Sequence, residues 1–269
     1  MNLKFSTPFL FSGLIALASL SACNQNGNKT AESQDTVVKT AMTIEPLAET
    51  AEFPDAKLTI ANVKTEKVGT DSVKLMYTFN VANYELSKQT MDNHSGECAN
   101  SEKGQHIHFI MDNKPYQALY KPENTITLPI NSEHYLLSFL SRSYHLSVKS
   151  PEASVLVHFK IDKDGKYVEM ESVKEPMLFY SRPKGEYVGK DTQNVLLDFY
   201  VKNATLAPDA YKVKVDLADT TFTVDKWQPY FIKNAPMGDL NVKITLLGAD
   251  GKELTGDNTS VERSVTLKQ

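Results

Sequence analysis

The chain has 269 residues, which is enough for one large domain or two of ordinary size. Hydrophobic residues make up 41% and charged residues 23% of it, values typical of a globular protein, and the net charge of −4 argues against a polyanionic partner. No basic stripe interleaved with aromatic residues is present, so nucleic-acid binding has no support, and two cysteines are too few for a disulfide scaffold.

The N-terminal segment 1–22 predicts an export signal. Lys4 provides a positive start, and the apolar run 8–20 is too short for a membrane-spanning helix. The run ends in Leu-Ser-Ala-Cys at 20–23, the lipobox pattern at which bacterial lipoproteins are acylated on the cysteine and cleaved just before it. We therefore expect Cys23 to carry acyl chains such as palmitate and to anchor the protein to a membrane. The alternative is an ordinary signal peptide with a chance cysteine.

The stretch after the cysteine predicts a tether. Asn24 stands where an aspartate often signals retention in the inner membrane, so the outer membrane is favoured, on either its periplasmic or its cell-surface face. Residues 23–52 are mostly polar and contain few large apolar side chains, so they cannot bury enough surface to order themselves. We predict a flexible linker that holds the folded part away from the membrane.

Beyond Phe53 the chain is a succession of strand-like runs separated by turn signals. The runs are rich in β-branched and aromatic residues, and several alternate apolar with polar positions. The Asp-Gly pairs at 164–165 and 250–251 are typical of hairpin turns. No segment has an apolar stripe of helical period and length, so we predict an all-β protein. The predicted strands are 57–63, 72–81, 105–111, 135–140, 154–161, 194–201, 211–217, 222–224, 241–247 and 261–267.

Segments of the first half of the chain are echoed in the second half in the same order. The matched pairs are 72–86 with 194–206, 109–120 with 215–227, 128–140 with 232–246, and 154–161 with 261–267. We predict two tandem immunoglobulin-like β-sandwich modules, 53–172 and 177–269, joined through 179–187. One large sandwich with coincidental echoes is the alternative.

All six histidines lie in the first module, so any histidine site belongs there. In a strand, His106, His108 and Asp112 share one face, while 107, 109 and 111 face the core. His134 and His145 flank the strand 135–140 and can approach from a neighbouring strand. The predicted metal ligands are therefore His106, His108, His134 and His145, with Asp112 as a ligand or hydrogen-bond acceptor, and imidazole-rich sites suit Cu or Zn.

Two other interpretations of these histidines remain open. They are structural, half-buried in a sheet and hydrogen-bonded to Asp112 and backbone, or they bind a polar organic ligand. His94 and Cys98 lie in a polar loop at 92–104 that can close over the site and add a soft ligand, whereas His158 fits its strand and is assigned a structural role.

The sequence has no motif of a known catalytic class. It contains no Gly-x-Ser-x-Gly, no His-Glu-x-x-His and no phosphate loop, so we predict that the protein is not an enzyme. Aromatic residues near loops can stack on a glycan or on an envelope protein, although such residues also form packing corners of sandwiches. They are Tyr116, Tyr120, Tyr135, Tyr144, Trp227 and Tyr230.

Two histidine-containing segments resemble a small uncharacterised family of exported bacterial β-domains with a His-x-His-x-x-x-Asp strand. The segments are HIHFIMDNKPY at 106–116 and EHYLLSFLSRSYH at 133–145. The segments 180–185, 195–200 and 261–268 are similar to lipoproteins of Bacteroidota, some of which carry a phosphopeptide-binding label. Arg142 and Arg182 do not form the arginine cluster that a phosphate site needs, and Asn-Ser-Glu at 131–133 replaces the glycine that usually opens the family's hairpin. The resemblance implies an outer-membrane lipoprotein but brings no established activity.

The sequence thus predicts a membrane-anchored lipoprotein that acts as a non-catalytic binding or structural module in the cell envelope. The alternative is a copper- or zinc-binding envelope lipoprotein with a histidine site in the first module.

Overall fold

A computed structural model describes residues 40–47 and 49–269, and these contain 17 strands and no α-helix. Single 3₁₀ turns occur at Asn93–Gly96 and Gly189–Thr192. Within this part of the chain, no helix has the length and apolar character that a membrane span requires. The predicted signal segment, the acylated Cys23 and most of the predicted linker lie outside the described residues.

The first sandwich packs a sheet of three strands against a sheet of five. The three-stranded sheet has the order β2-β3-β6 and the five-stranded sheet the order β5-β4-β7-β8-β9. The strands are β2 (Lys57–Val68), β3 (Ser72–Ala82), β4 (His106–Met111), β5 (Gln117–Leu119), β6 (Glu123–Pro129), β7 (Ser132–Ser141), β8 (Ser154–Ile161) and β9 (Tyr167–Glu169).

The second sandwich has sheets of four and five strands. Their orders are β1-β15-β12-β10 and β11-β17-β16-β13-β14, and the β11–β17 pair is parallel. The strands are β1 (Thr43–Pro46), β10 (Met177–Arg182), β11 (Glu186–Val188), β12 (Val195–Lys202), β13 (Lys212–Leu217), β14 (Thr220–Val224), β15 (Tyr230–Lys233), β16 (Gly238–Leu247) and β17 (Ser260–Lys268).

Seven strands of each sandwich have the same order. In chain order, β2, β3 and β6 of the first correspond to β10, β12 and β15 of the second, and β4, β5, β7 and β8 correspond to β13, β14, β16 and β17. If these seven strands are numbered along the chain within each sandwich, one sheet contains strands one, two and five. The other sheet contains strands three, four, six and seven, which is the arrangement of an immunoglobulin-like sandwich. The prediction of an all-β chain with two such sandwiches is confirmed, and each pair of echoed sequence segments falls on equivalent strands.

Three apolar layers hold the four sheets together. One lies inside each sandwich, centred on residues such as Phe109 and Phe159 in the first and Val215 and Ile244 in the second. The third lies between the sandwiches and includes Phe139 and Phe179, so the inner sheets are covered on both faces. All six residues of β4 and all six of β10 are buried for this reason. Residues 40–269 accordingly form one compact unit.

Two predicted connections turn out to be strands. Residues 43–46, expected within the flexible linker, form β1 on the edge of the second sandwich, where Ile44 pairs with Ile232 and packs on its core. Residues 179–187, expected to join the modules, belong instead to β10 and β11, and the chain crosses between β9 and β10. Both segments, predicted to be connections, therefore belong to the second sandwich. The segment 179–187 includes most of β10, which packs against the histidine-bearing strand β4.

Candidate metal centre

His106 and His108 lie on β4 and face the second sandwich. The alternation of β4 places Ile107 and Phe109 in the core of the first sandwich, as predicted, so the intervening histidines point the other way. Because β10 and β12 pack over that face, both imidazoles are fully buried rather than solvated.

His145 reaches the same place from a tight turn after β7. The turn is closed by hydrogen bonds from Arg142 N to Leu146 O (2.8 Å) and from His145 N to Arg142 O (2.9 Å). His145 has a φ of 70°, a left-handed conformation that is uncommon for residues other than glycine. Such strained residues cluster at functional sites, and here the conformation directs a half-buried imidazole at the two buried ones.

Three imidazole nitrogens converge at this point. His106 Nε2 lies 2.9 Å from His108 Nε2 and 3.0 Å from His145 Nδ1. All three nitrogens lie within 4.8 Å of one another, which is the arrangement expected of ligands around one small ion.

The hydrogen bond of His106 Nδ1 leaves the Nε2 lone pair of the same ring directed at the other two imidazoles. His106 Nδ1 lies 2.8 Å from Gly104 O, and because a carbonyl only accepts, the imidazole donates there and its Nε2 carries a lone pair when the ring is neutral. His108 Nε2 and His145 Nδ1 both approach this lone pair, and the Tyr116 hydroxyl, 3.2 Å from His145 Nδ1, can donate to the lone pair of His145. A metal ion would use all three lone pairs at once.

The three rings are held neutral. Burial lowers the pKa of His106 to about 4, and it lowers the pKa values of His108 and His145 well below the ordinary 6.5. Arg182 and Lys184 act in the same direction on all three pKa values. Neutral imidazole is the form that binds metals, so the site is competent for ligation at neutral pH.

Aromatic rings enclose the cluster. Tyr116 stacks on His108 with ring centroids 3.6 Å apart and planes at 9°, and its hydroxyl lies 3.2 Å from His145 Nδ1. Phe139 and Tyr120 lie 5.0 and 5.1 Å from the rings of His108 and His106. Tyr116 is therefore a wall of the site rather than an exposed platform for a glycan.

The second sandwich completes the site through β10. Ser181 Oγ lies 3.2 Å from His108 Nδ1, so the two sandwiches meet at the imidazole of His108. A hydrogen bond to the remote nitrogen of a ligating histidine orients the ring, and Ser181 fills that role here as Gly104 O does for His106.

Two of the five predicted ligands do not join the cluster. Asp112 follows the end of β4 with a φ of 52°, so the alternation that would place it beside His106 and His108 stops before it. Its carboxylate accepts instead from His134 Nδ1 (2.8 Å) and from Tyr135 N (2.9 Å). His134 and Asp112 are thus partners of each other, and the predicted ligand set is brought together only in part.

The polar loop does not supply a soft ligand to the cluster. Cys98 is buried against Tyr144 and Leu146, and its thiol donates to His94 O at 3.6 Å. His94 pairs with Glu97 at 2.7 Å. His158 pairs with Glu133 at 2.7 Å and stacks on Tyr135, so it also lies outside the cluster.

Sequence reasoning did not place Ser181, Arg182 and Lys184 beside the histidines. They stand in the segment 179–187, where Pro183 and Gly185 are typical of a connection. The apolar and aromatic residues just before them, LFY at 178–180, are the signal that would have indicated a strand.

No protein-family model matches the chain, and the comparison with curated proteins found no match. Among solved structures, the chain is similar to the fibronectin(III)-like modules of Clostridium thermocellum CbhA, with 11% identity and a TM-score of 0.28. The similarity covers 79% of this chain and 94% of that one. A likeness at this level carries no information on ligand or activity, which we therefore infer from the site.

Proposed function

We propose that the protein is a non-catalytic metal-binding module of the bacterial cell envelope that holds one transition-metal ion with His106, His108 and His145. The observation that carries the proposal is the convergence of three buried or half-buried, neutral imidazole nitrogens on one point. Imidazole ligands suit copper and zinc among the ions available to proteins.

The location is proposed from the sequence alone. The lipobox at 20–23 supports acylation of Cys23 and an outer-membrane anchor. Metabolic labelling with a clickable fatty acid tests this step. The label is expected on the wild type and not on Cys23→Ser, and equal labelling of both would refute the anchor.

Thermal melts with and without metal test the site. An ion that binds only the folded protein stabilises it by about 2.7 kcal/mol at a hundredfold excess over its dissociation constant, so micromolar copper or zinc should raise the melting temperature. The double variant His106→Gln, His108→Gln should lose this shift. His158→Gln is the matched control, because His158 is an imidazole of the same sheet outside the cluster, and it should keep the shift.

The same melts distinguish a purely structural cluster. If the histidines only stabilise the fold, metal leaves the wild-type melt unchanged, while the double variant melts lower without metal because buried hydrogen-bonding groups lose their partners. That pattern would contradict the proposed function.

A further inference from the structure

The charges around the three histidines are all positive. Lys184 Nζ lies 4.0 Å from the centroid of the Tyr116 ring and donates to Tyr116 O at 2.6 Å. The guanidinium carbon of Arg182 lies 5.5 Å from the same centroid. His108 stacks on the same ring with centroids 3.6 Å apart, so both cations lie close to the cluster.

These cations have no carboxylate partner. Arg182 is 7% exposed, donates to Lys184 O (3.3 Å) and Tyr187 Oη (3.2 Å), and has a buried Nε with no hydrogen-bond partner. Among the described residues, no salt bridge involves Arg182 or Lys184. The two positive charges are therefore not neutralised at the site.

This environment discriminates between ions by their charge. The three ligands are neutral imidazoles, and the only acidic group among the predicted ligands, Asp112, is bonded to His134. A divalent ion is repelled twice as strongly as a monovalent ion by the same fixed cations, and burial weakens the screening that would hide the difference.

The number of ligands points the same way. Zinc is almost always four-coordinate in proteins and needs a fourth ligand beyond three histidines. A copper(I) ion is stable with three ligands and needs no fourth. Three imidazoles walled by Tyr116, Tyr120 and Phe139 match that requirement.

We propose that the three-histidine site, if it binds metal as argued above, selects copper(I) over divalent ions because Arg182 and Lys184 oppose a second positive charge. The ligand class is thus a soft monovalent d¹⁰ cation held by neutral nitrogen donors at the junction of the two sandwiches.

Competition titrations of the detergent-purified full-length protein test this selectivity. Copper(I) is titrated anaerobically against bicinchoninate, and zinc(II) against a chromophoric chelator. We expect copper(I) to bind at least about a hundredfold more tightly than zinc(II) at neutral pH. Zinc binding as tight as or tighter than copper(I) binding would overturn the selectivity, and binding of neither ion would overturn the metal site itself.

A variant of the half-buried Lys184 tests the electrostatic cause. Because the repulsion scales with the charge of the ion, Lys184→Gln should tighten zinc(II) binding by the square of the factor by which it tightens copper(I) binding, for example about tenfold against about threefold. Lys103→Gln is the matched control, since this exposed lysine lies 5.5 Å from the ring of Tyr120 on the solvent side, and it should change neither affinity by more than about twofold. Equal effects of Lys184→Gln on both ions would overturn the proposed cause.

Discussion

At the residue scale, the site depends on keeping three imidazoles uncharged. In the unfolded chain, His106, His108 and His145 take up protons as the pH falls below their ordinary pKa of 6.5. In the folded protein, burial keeps the pKa of His106 at about 4 and holds the other two pKa values well below 6.5. Between about pH 4 and pH 6.5 the unfolded state therefore binds more protons than the folded state, so acidification favours unfolding.

This linkage predicts how the metal-free protein responds to pH. Its stabilisation from the neutral cluster is complete above about pH 6.5 and is lost as the pH falls towards 4, at about 1.4 kcal/mol per pH unit for each histidine that stays neutral. Urea denaturation at pH 7, 6 and 5 measures the slope. The His106→Gln, His108→Gln variant should lose about two-thirds of the part of this slope that the three histidines contribute. An unchanged slope would contradict the conclusion that these histidines are held neutral in the folded protein.

How far the residues of the site were predictable follows from backbone geometry. The His-x-His spacing on a strand correctly placed His106 and His108 on one face, since alternation is a local property. The strand alternation does not extend to Asp112, because β4 ends just before it and Asp112 has a positive φ. Its hydrogen bond with His134 keeps both side chains outside the three-histidine cluster. The approach of His145 depends on a turn, and that of Ser181 on the packing of two sandwiches, which no local pattern encodes.

At the element scale, the strands with clear alternation were predictable and the short or polar ones were not. β3 and β16 show the expected pattern of burial along a sandwich strand. The four-residue β1 lies in a polar stretch, and among its described residues Met42 and Ile44 pack on the second core. The edge of β15, contributed by a distant part of the chain, turns this polar stretch into a strand.

The pairing of β1 predicts an effect on stability far from its place in the sequence. Ile44→Ala removes partly buried methyl groups from the second core and should lower the free energy of unfolding by about 1–2 kcal/mol. Glu45→Ala, on the exposed side of the same strand, should change it by less than about 0.5 kcal/mol. Chemical denaturation measures both, and equal values would show that β1 does not dock on the second sandwich.

At the scale of the whole molecule, polar contacts fix how one sandwich sits on the other. Asp198 on β12 is fully buried and accepts from Ser147 Oγ (2.8 Å) and Lys149 Nζ (2.7 Å) of the first sandwich. The amide of Asn113 donates to Leu178 O (2.8 Å) and accepts from Tyr180 N (2.9 Å). Because these groups are satisfied in one arrangement, they hold Ser181 and Lys184 in place beside the histidines.

The buried ion pair gives a prediction for this junction. Asp198→Ala leaves Lys149, which is mostly buried, without its carboxylate and should lower the free energy of unfolding by about 3–5 kcal/mol. Adding Lys149→Met should recover part of the loss, because the unpaired charge is gone. The exposed pair of Lys57 and Glu152 is the control, and Glu152→Ala should cost about 1 kcal/mol or less. If Asp198→Ala also costs only about 1 kcal/mol, the Asp198–Lys149 pair does not dock the two sandwiches.

X-ray absorption at the copper edge tests the three-histidine site most directly. On protein loaded with one equivalent of copper under reducing conditions, we predict three nitrogen ligands at roughly 2.0 Å with the multiple scattering of imidazole rings. His145→Asn keeps a residue that tolerates the left-handed backbone and should leave two such ligands. A first shell of sulfur or carboxylate oxygen, or a spectrum unchanged in His145→Asn, would contradict the account.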